Sequence, residues 1–391
     1  MRVAFGFILL IGCLVTTVAQ EPPAAGKGAI AAPQVKAAID KLGVLEFPVR
    51  MEAARTVRRA SAAVATPLLT EAAASHKDGY VRFRALVLLS GFNDPGTRDV
   101  MTRMLTEPND RLRAVAYSYF AYHPDPVALP RLLEALPKED SEFMRPALTR
   151  AIAAHGNEPK AREAITGLVM RGQDFFRGAV IEAVGDFKGT YAFGPLTEVA
   201  KLAGPLQDDA VIALGKIGDK RALETFATLQ RSAPRNSQPA IATAICLLGV
   251  NCPSHQGYLT ETLRFGIANA GFQELVRGAA SGLGALGASG NEDAVRALIQ
   301  IGAPSQDPAR AAIALALGTV ALRNHQLMLK VLEQSKDLAG ALELLREAFD
   351  MLEEDYEEER FFAFVRRSYW QAAAGSPTRK VADALIQKLE F

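Results

Sequence analysis

Histidine, cysteine and tryptophan are scarce in this chain of 391 residues, which has five, three and one of them, and its charges almost cancel at 44 basic against 43 acidic side chains. The histidines His76, His123, His155, His255 and His325 are widely scattered. None has another His, Cys or carboxylate at the spacing that sets two metal ligands on one helix face. They read as surface or capping residues; alternatively His76, His123 and His155, which recur near turns, line one edge of the fold. Without net charge or a run of Lys and Arg there is no electrostatic footprint for nucleic acid. No G-x-S-x-G elbow, H-E-x-x-H zinc helix, G-K-[ST] phosphate loop or EF-hand loop occurs. With no nucleophile and base named as a pair, the sequence assigns no catalytic residue, metal ligand or cofactor site, and a cofactor is not expected.

Long apolar runs are missing everywhere except at the start. In MRVAFGFILLIGCLVTTVAQEPP, Arg2 precedes an apolar stretch that ends in small residues at Thr17 and Ala19. This is the layout of a secretory signal peptide over residues 1–19, cleaved after Ala19. A retained membrane anchor is one alternative, because Val3 to Ala19 sits at the short limit of a spanning helix. A bacterial lipoprotein signal around Leu10-Ile11-Gly12-Cys13 is another, although the apolar run continues past Cys13 through Leu14 and Val15. Cleavage predicts an exported protein, periplasmic or extracellular, with no membrane contact of its own and with 43 basic against 43 acidic residues left after loss of Arg2.

Export changes the meaning of the remaining thiols. Cys246 and Cys252 stand six residues apart in ICLLGVNCPS, and an oxidising compartment favours pairing them. Gly249 between them can end a helix and let the chain fold back. Two buried free thiols are the alternative; a metal site falls short of four ligands with only His255 nearby.

The chain does contain a repeat. Arginines recur in related surroundings at Arg50, Arg82, Arg113, Arg145, Arg177, Arg277 and Arg310. LQDDAVIALG and NSQPAIATAICLLG fill the wide gap between Arg177 and Arg277 without arginine, giving a period of about 32 residues and hence a solenoid. Segments such as DGYVRFRALVLLSG, QDFFRGAVIEAVG and QDPARAAIALALG place apolar residues three and four apart, as at Val81, Ala85, Leu88 and Leu89, the mark of an amphipathic helix. Glycine near the end of most of them, at Gly91, Gly156, Gly218, Gly287 and Gly318, predicts left-handed caps. The G-x-x-G-D turn of AVIALGKIGDKRALETFATLQ (210–230) then reads as a hinge, with Asp219 capping the next helix.

Each unit is thus two helices and a turn, too small to bury its own apolar face, so neighbours must stack. Ala179, Ala183, Ala213, Gly215, Ala280, Gly284, Ala312 and Ala316 fit positions where layers approach closely. The text V-R-x-x-A…A-L-G-x-x-G at this period resembles the HEAT repeat, in particular the short bacterial form named after phycobilisome lyases, over roughly residues 45–334. The resemblance implies an all-α, right-handed α-solenoid of stacked helix pairs, of the HEAT/ARM-like superhelical type. It also implies a role for the recurring arginines, which in such repeats support neighbouring layers through turn acids. Asp78, Asp110 and Asp174 precede Arg82, Arg113 and Arg177 by three or four residues. An anion-binding ladder is the alternative.

The expected organisation is a signal peptide (1–19), a flexible leader (20–35), about nine helix pairs (36–334) and a helical cap (335–391) sealing the last repeat. Gly282 to Gly287 match G-x-G-x-x-G, but a helical pattern with no β-branched strand precedes them, so they belong to the repeat and not to a dinucleotide site. The acidic run Glu353, Glu354, Asp355, Glu357, Glu358 and Glu359 lacks the oxygen spacing of a calcium loop and reads as a solvated helix face. The functional expectation is a non-catalytic scaffold or adaptor binding a protein or peptide on its concave face. The alternatives are a lyase-like or cofactor-handling enzyme, and a spacer attached to the envelope by a retained helix or lipid.

Overall fold

A computed structural model describes residues 30–139, 141 and 143–391. The expected signal peptide and residues 20–29 of the expected leader lie outside them. All regular structure among the described residues is helical: α1 (Ala32–Asp40), α2 (Phe47–Arg59), α3 (Ala62–Ser75), α4 (Gly79–Ser90), α5 (Thr97–Met104), α6 (Asp110–Tyr122), α7 (Leu129–Ala135), α8 (Arg145–Ala153), α9 (Pro159–Val169), α10 (Asp174–Asp186), α11 (Phe193–Lys201), α12 (Gln207–Ile217), α13 (Ala222–Ser232), α14 (Gln238–Leu247), α15 (Cys252–Ala268), α16 (Gln273–Ala288), α17 (Glu292–Gly302), α18 (Ala309–Arg323), α19 (His325–Glu333), α20 (Leu338–Leu352), α21 (Asp355–Gln371) and α22 (Pro377–Leu389). The first of these starts within the expected leader, because Pro33 suits a first helical turn and Val35 is fully buried.

From α3 to α20 the chain forms nine packed pairs, the stacked arrangement of a HEAT/ARM-like α-solenoid. Polar caps start many of the helices. Asp78 accepts from the Tyr80 amide at 2.8 Å, Asn291 from Ala294 at 3.0 Å and Asp337 from Gly340 at 2.8 Å. In the hinge, Gly218 takes φ +85°, Asp219 accepts from the Arg221 amide at 3.0 Å, and α13 follows. Gly249 does the same after α14 with φ +74°, and Cys246 and Cys252 are bonded to each other across that turn.

Four of the expected glycine caps are corrected. Gly91 and Gly156 keep ordinary backbone angles, and Gly287 and Gly318 lie inside α16 and α18. The glycines inside inner helices serve contact between helices. A Cβ on Gly185 would stand 2.8 Å from the Ala213 Cα, and one on Gly215 only 2.6 Å from the Ala244 Cα. The G-x-G-x-x-G match sits wholly within α16, where Gly284 faces Ala316 of α18.

The even-numbered helices from α4 to α20 pack directly on one another along the concave side, with the odd-numbered ones outside them. The ninth pair carries this inner layer past residue 334, so α20 extends the array, and α22 covers α19 and α20. One face of α21 packs on the last repeats, with Phe361 and Phe362 against Phe349 of α20, while its other face crosses back to α4 and α6 and closes the arc.

Its acidic residues make that seam, which corrects their reading as a solvated face. Glu359 is fully buried and accepts from Nε and Nη2 of Arg58 in α2 at 2.8 and 2.6 Å. Asp355 pairs with Arg84, and Tyr356 is buried between Tyr119 and Tyr122 at ring separations of 6.5 and 6.0 Å. A run of carboxylates is drawn inward because the first repeats present buried arginines that need partners.

Gly215→Ala should lower stability by about 1–3 kcal/mol, because the new methyl meets backbone and not a yielding side chain. Gly257→Ala, at an open position in α15, should raise it by about 0.5–1 kcal/mol. Chemical denaturation of both variants measures the contrast, and equal effects would contradict the close-packing assignment.

Candidate functional site

The closed arc encloses a cavity of about 1220 Å³ on its concave side. Its walls come from α6, α8, α10, α12, α16 and α18. Small residues such as Gly284, Ala288, Ala312 and Ala316 line the α16 and α18 side, together with Arg277 and Arg323, and most of the remaining charge comes from α8, α10 and α12. There Asp186 takes hydrogen bonds from Arg150 at 2.9 Å and from Lys216 at 2.6 Å. Glu182 lies 3.7 Å from Arg150 and 3.8 Å from Arg323, which reaches across from α18 and donates to the Tyr122 hydroxyl.

Burial alone would raise the Asp186 carboxyl, but Lys216 and Arg150 hold it below the usual range. Asp209 faces the same space, with only the charge of Lys216 opposing its burial. Burial, reinforced by Glu182 and Asp208, pushes it up to about 6. Phe175 stands at the cavity edge with 63% of its surface exposed.

The arginines of the repeat lie mostly one step away from this cavity, in the joints between paired helices. Arg82 donates from Nε to the Ala73 carbonyl at 2.9 Å, Arg177 to Val169 at 3.0 Å, and Arg310 from Nη1 to Ala303 at 2.7 Å. Arg113 donates to the Glu107 carbonyl at 2.8 Å and Arg50 to Leu45 at 2.7 Å. Each side chain starts in the first turn of one helix and reaches back to the orphan carbonyls where the preceding one ends. Acids of the following unit are partners as well: Arg82 donates to Glu107 and Arg113 to Glu139, both turn acids, at 2.9 Å, and Arg310 to Glu347 of α20 at 2.8 Å, so these arginines do join neighbouring layers. Of the acids just before the arginines, Asp174 pairs with Arg177 at 3.0 Å, while Asp78 caps its own helix. Arg145 stacks on Phe176 at 4.6 Å, and Arg277 pairs with Glu274 on the cavity wall.

The histidines do not converge. His76 and His123 cap the ends of α3 and α6, while His155 is buried with its Nδ1 2.8 Å from the Ala151 carbonyl. His325 packs against Phe361 and Phe364, and burial beside Arg360 pushes it down to about 4. No group of three or more metal-ligating side chains occurs among the described residues.

Sequence reasoning missed Tyr122, Arg150, Glu182, Asp186, Lys216 and Arg323. A signal for one pair was present. Asp186 and Lys216 each follow the close-contact glycine of their unit, thirty residues apart, with opposite charges. Comparison of the units position by position marks them as neighbours.

Residues 45–121 match HEAT repeats. No curated protein matches the chain. Among solved structures, the chain is similar to the CpcE–CpcF complex of phycocyanin lyase from Nostoc sp. PCC7120, at 20% identity over 66% of this chain and 97% of that one, with a TM-score of 0.40. Human deoxyhypusine hydroxylase has 19% identity over 65% and 95%, with a TM-score of 0.29. Kap95p, solved with RanGDP, has 13% identity over 92% and 62%, with a TM-score of 0.37.

The seam adds a titratable group. Burial, with the Asp355 carboxylate close by, outweighs the hydrogen bond from the Glu354 amide and the charge of Arg84 and pushes Glu358 from 4.5 up to about 7. A carboxyl raised in the folded state stabilises it below its unfolded pKa, and that contribution is lost as pH rises through the folded value. Stability should therefore fall between about pH 5 and pH 8, and Glu358→Gln should flatten this dependence. Denaturation midpoints across that window provide the measurement, and an unchanged slope in the variant would contradict the assignment.

Proposed function

We propose that the protein is an exported, non-catalytic scaffold that takes a segment of a partner polypeptide into the cavity on its concave face. The observation that carries this reading is the mixed lining. Small apolar residues interleaved with charges of both signs suit a chain that alternates apolar and polar side chains. The cavity is larger than the roughly 300–1,000 Å³ of an ordinary small-molecule pocket, room for a segment of polypeptide. The charged side chains answer one another, with Asp186 held between Arg150 and Lys216, and no nucleophile stands beside a base. Export rests on the N-terminal sequence pattern.

One observation favours a second reading, a lyase-like or cofactor-handling protein. Asp209, titrating at about 6 and facing the cavity, is a group able to hold or release a proton near neutral pH.

A photo-crosslinking residue in place of Leu315, on the cavity wall, should attach to a discrete polypeptide in the native compartment. The same residue in place of Phe265, on the outer helix α15, should not. Equal labelling from both positions, or none from Leu315, would contradict the scaffold reading. A small molecule retained by the native protein would favour the second one.

A further inference from the structure

The contact between α21 and the first repeats joins helices from the two ends of the array. Neighbouring inner helices meet closely through glycine and alanine, as Gly215 meets Ala244, with charged or aromatic pairs such as Arg150 and Asp186 beside them. At the seam the contact is made by long and aromatic side chains, the composition of a separable protein interface. The face of α21 that enters it follows helical spacing. Asp355 meets Arg84, Tyr356 meets Tyr119 and Tyr122, Glu359 meets Arg58, and Arg360 lies 3.4 Å over the Tyr122 ring. These are positions i, i+1, i+4 and i+5 of one helix laid in a groove.

The groove itself is built from α2, α4 and α6, and it is cationic and aromatic without α21: Arg58, Arg84, Tyr119 and Tyr122. It continues into the central cavity, because Tyr122 also accepts from Arg323 on the cavity wall. A buried ion pair such as Arg58 with Glu359 specifies a match more than it stabilises one, since desolvation offsets most of its attraction. The seam is thus selective for its occupant.

We infer that this groove is a docking site for an acidic, aromatic amphipathic helix of a partner protein, and that α21 occupies it in cis in the partner's place. The helix it fits carries an aromatic residue, a carboxylate just before it and a second carboxylate three residues after it, as Asp355, Tyr356 and Glu359 do. Docking requires α21 to leave, which opens the arc and exposes the cavity. The inference stands independently of what the cavity binds.

The test uses the full chain and a fluorescent peptide of residues 353–371 as probe. Asp355→Ala combined with Tyr356→Ala in the protein weakens the cis occupant and should tighten peptide binding roughly tenfold, by removing its competitor. A peptide carrying the same two changes and Glu359→Gln should bind neither protein. Failure of the variant to bind more tightly would overturn the inference. So would peptide-independent, concentration-dependent dimerisation of the variant, which would make a second copy the occupant. Hydrogen exchange of the unmodified protein guards against a variant that fails to fold. Amides of α21 should exchange before those of α18 and faster still with the peptide present. Exchange of α21 only with global unfolding would contradict exchange at the seam. Failed crosslinking from Leu315 would leave these results untouched.

Discussion

The bend of the array depends on one repeated contact, a glycine or alanine on one inner helix set against the backbone of the next. With Gly185 against Ala213 and Gly215 against Ala244, inner helices approach more closely than side chains of ordinary size allow. The outer helices meet less closely, as α11 and α13 do beside α10 and α12, so each pair is a wedge, thin on the concave side. Nine wedges in series turn the chain far enough for its ends to meet. The cavity, its facing walls and the contact of Arg323 with Tyr122 across it all follow from that curvature.

Two chemistries hold the molecule, and they do different work. Along the array, buried apolar area and close packing join neighbours without strong preference for one partner over another, which is what lets a repeat be stacked. At the seam, Arg58 and Glu359 are both withdrawn from water, with Arg366 of α21 3.6 Å from the same carboxylate. The first joins any repeat to the next; the second picks out a single helix from the whole chain. A solenoid that closes needs both, because its terminal units would otherwise pair with any apolar surface.

Much of the architecture was legible in the sequence because it repeats. The period, the paired helices, the hinge at Gly218 with Asp219, and the close-contact role of Ala213, Gly215, Gly284 and Ala316 could be read from position within the unit. Closure could not. Arg58 and Glu359 are 301 residues apart, and a pairing made once leaves no period to detect. The run around Glu357 and Glu359 therefore looked like solvated surface, since the sequence does not show the buried arginines that draw it inward. The recurring arginines were visible, and so was their bond to turn acids, but not which acids: Arg82 and Arg113 take Glu107 and Glu139 of the following unit and not the preceding Asp78 and Asp110, and the carbonyl oxygens they also reach carry no sequence signal. The charged wall was missed because Asp186 and Lys216 become meaningful only when neighbouring units are laid side by side.

The claim that inner close packing bends the array until it closes is tested most directly by a distance across the seam. Spin labels at Asp99 on α5 and Gln387 on α22, both exposed, bracket it without touching it. One narrow distance distribution is predicted for the native chain, broadening toward longer separations when Gly185 and Gly215 are both replaced by valine. A broad, long distribution in the native chain, or no change in the glycine variant, would show that the arc does not close for this reason.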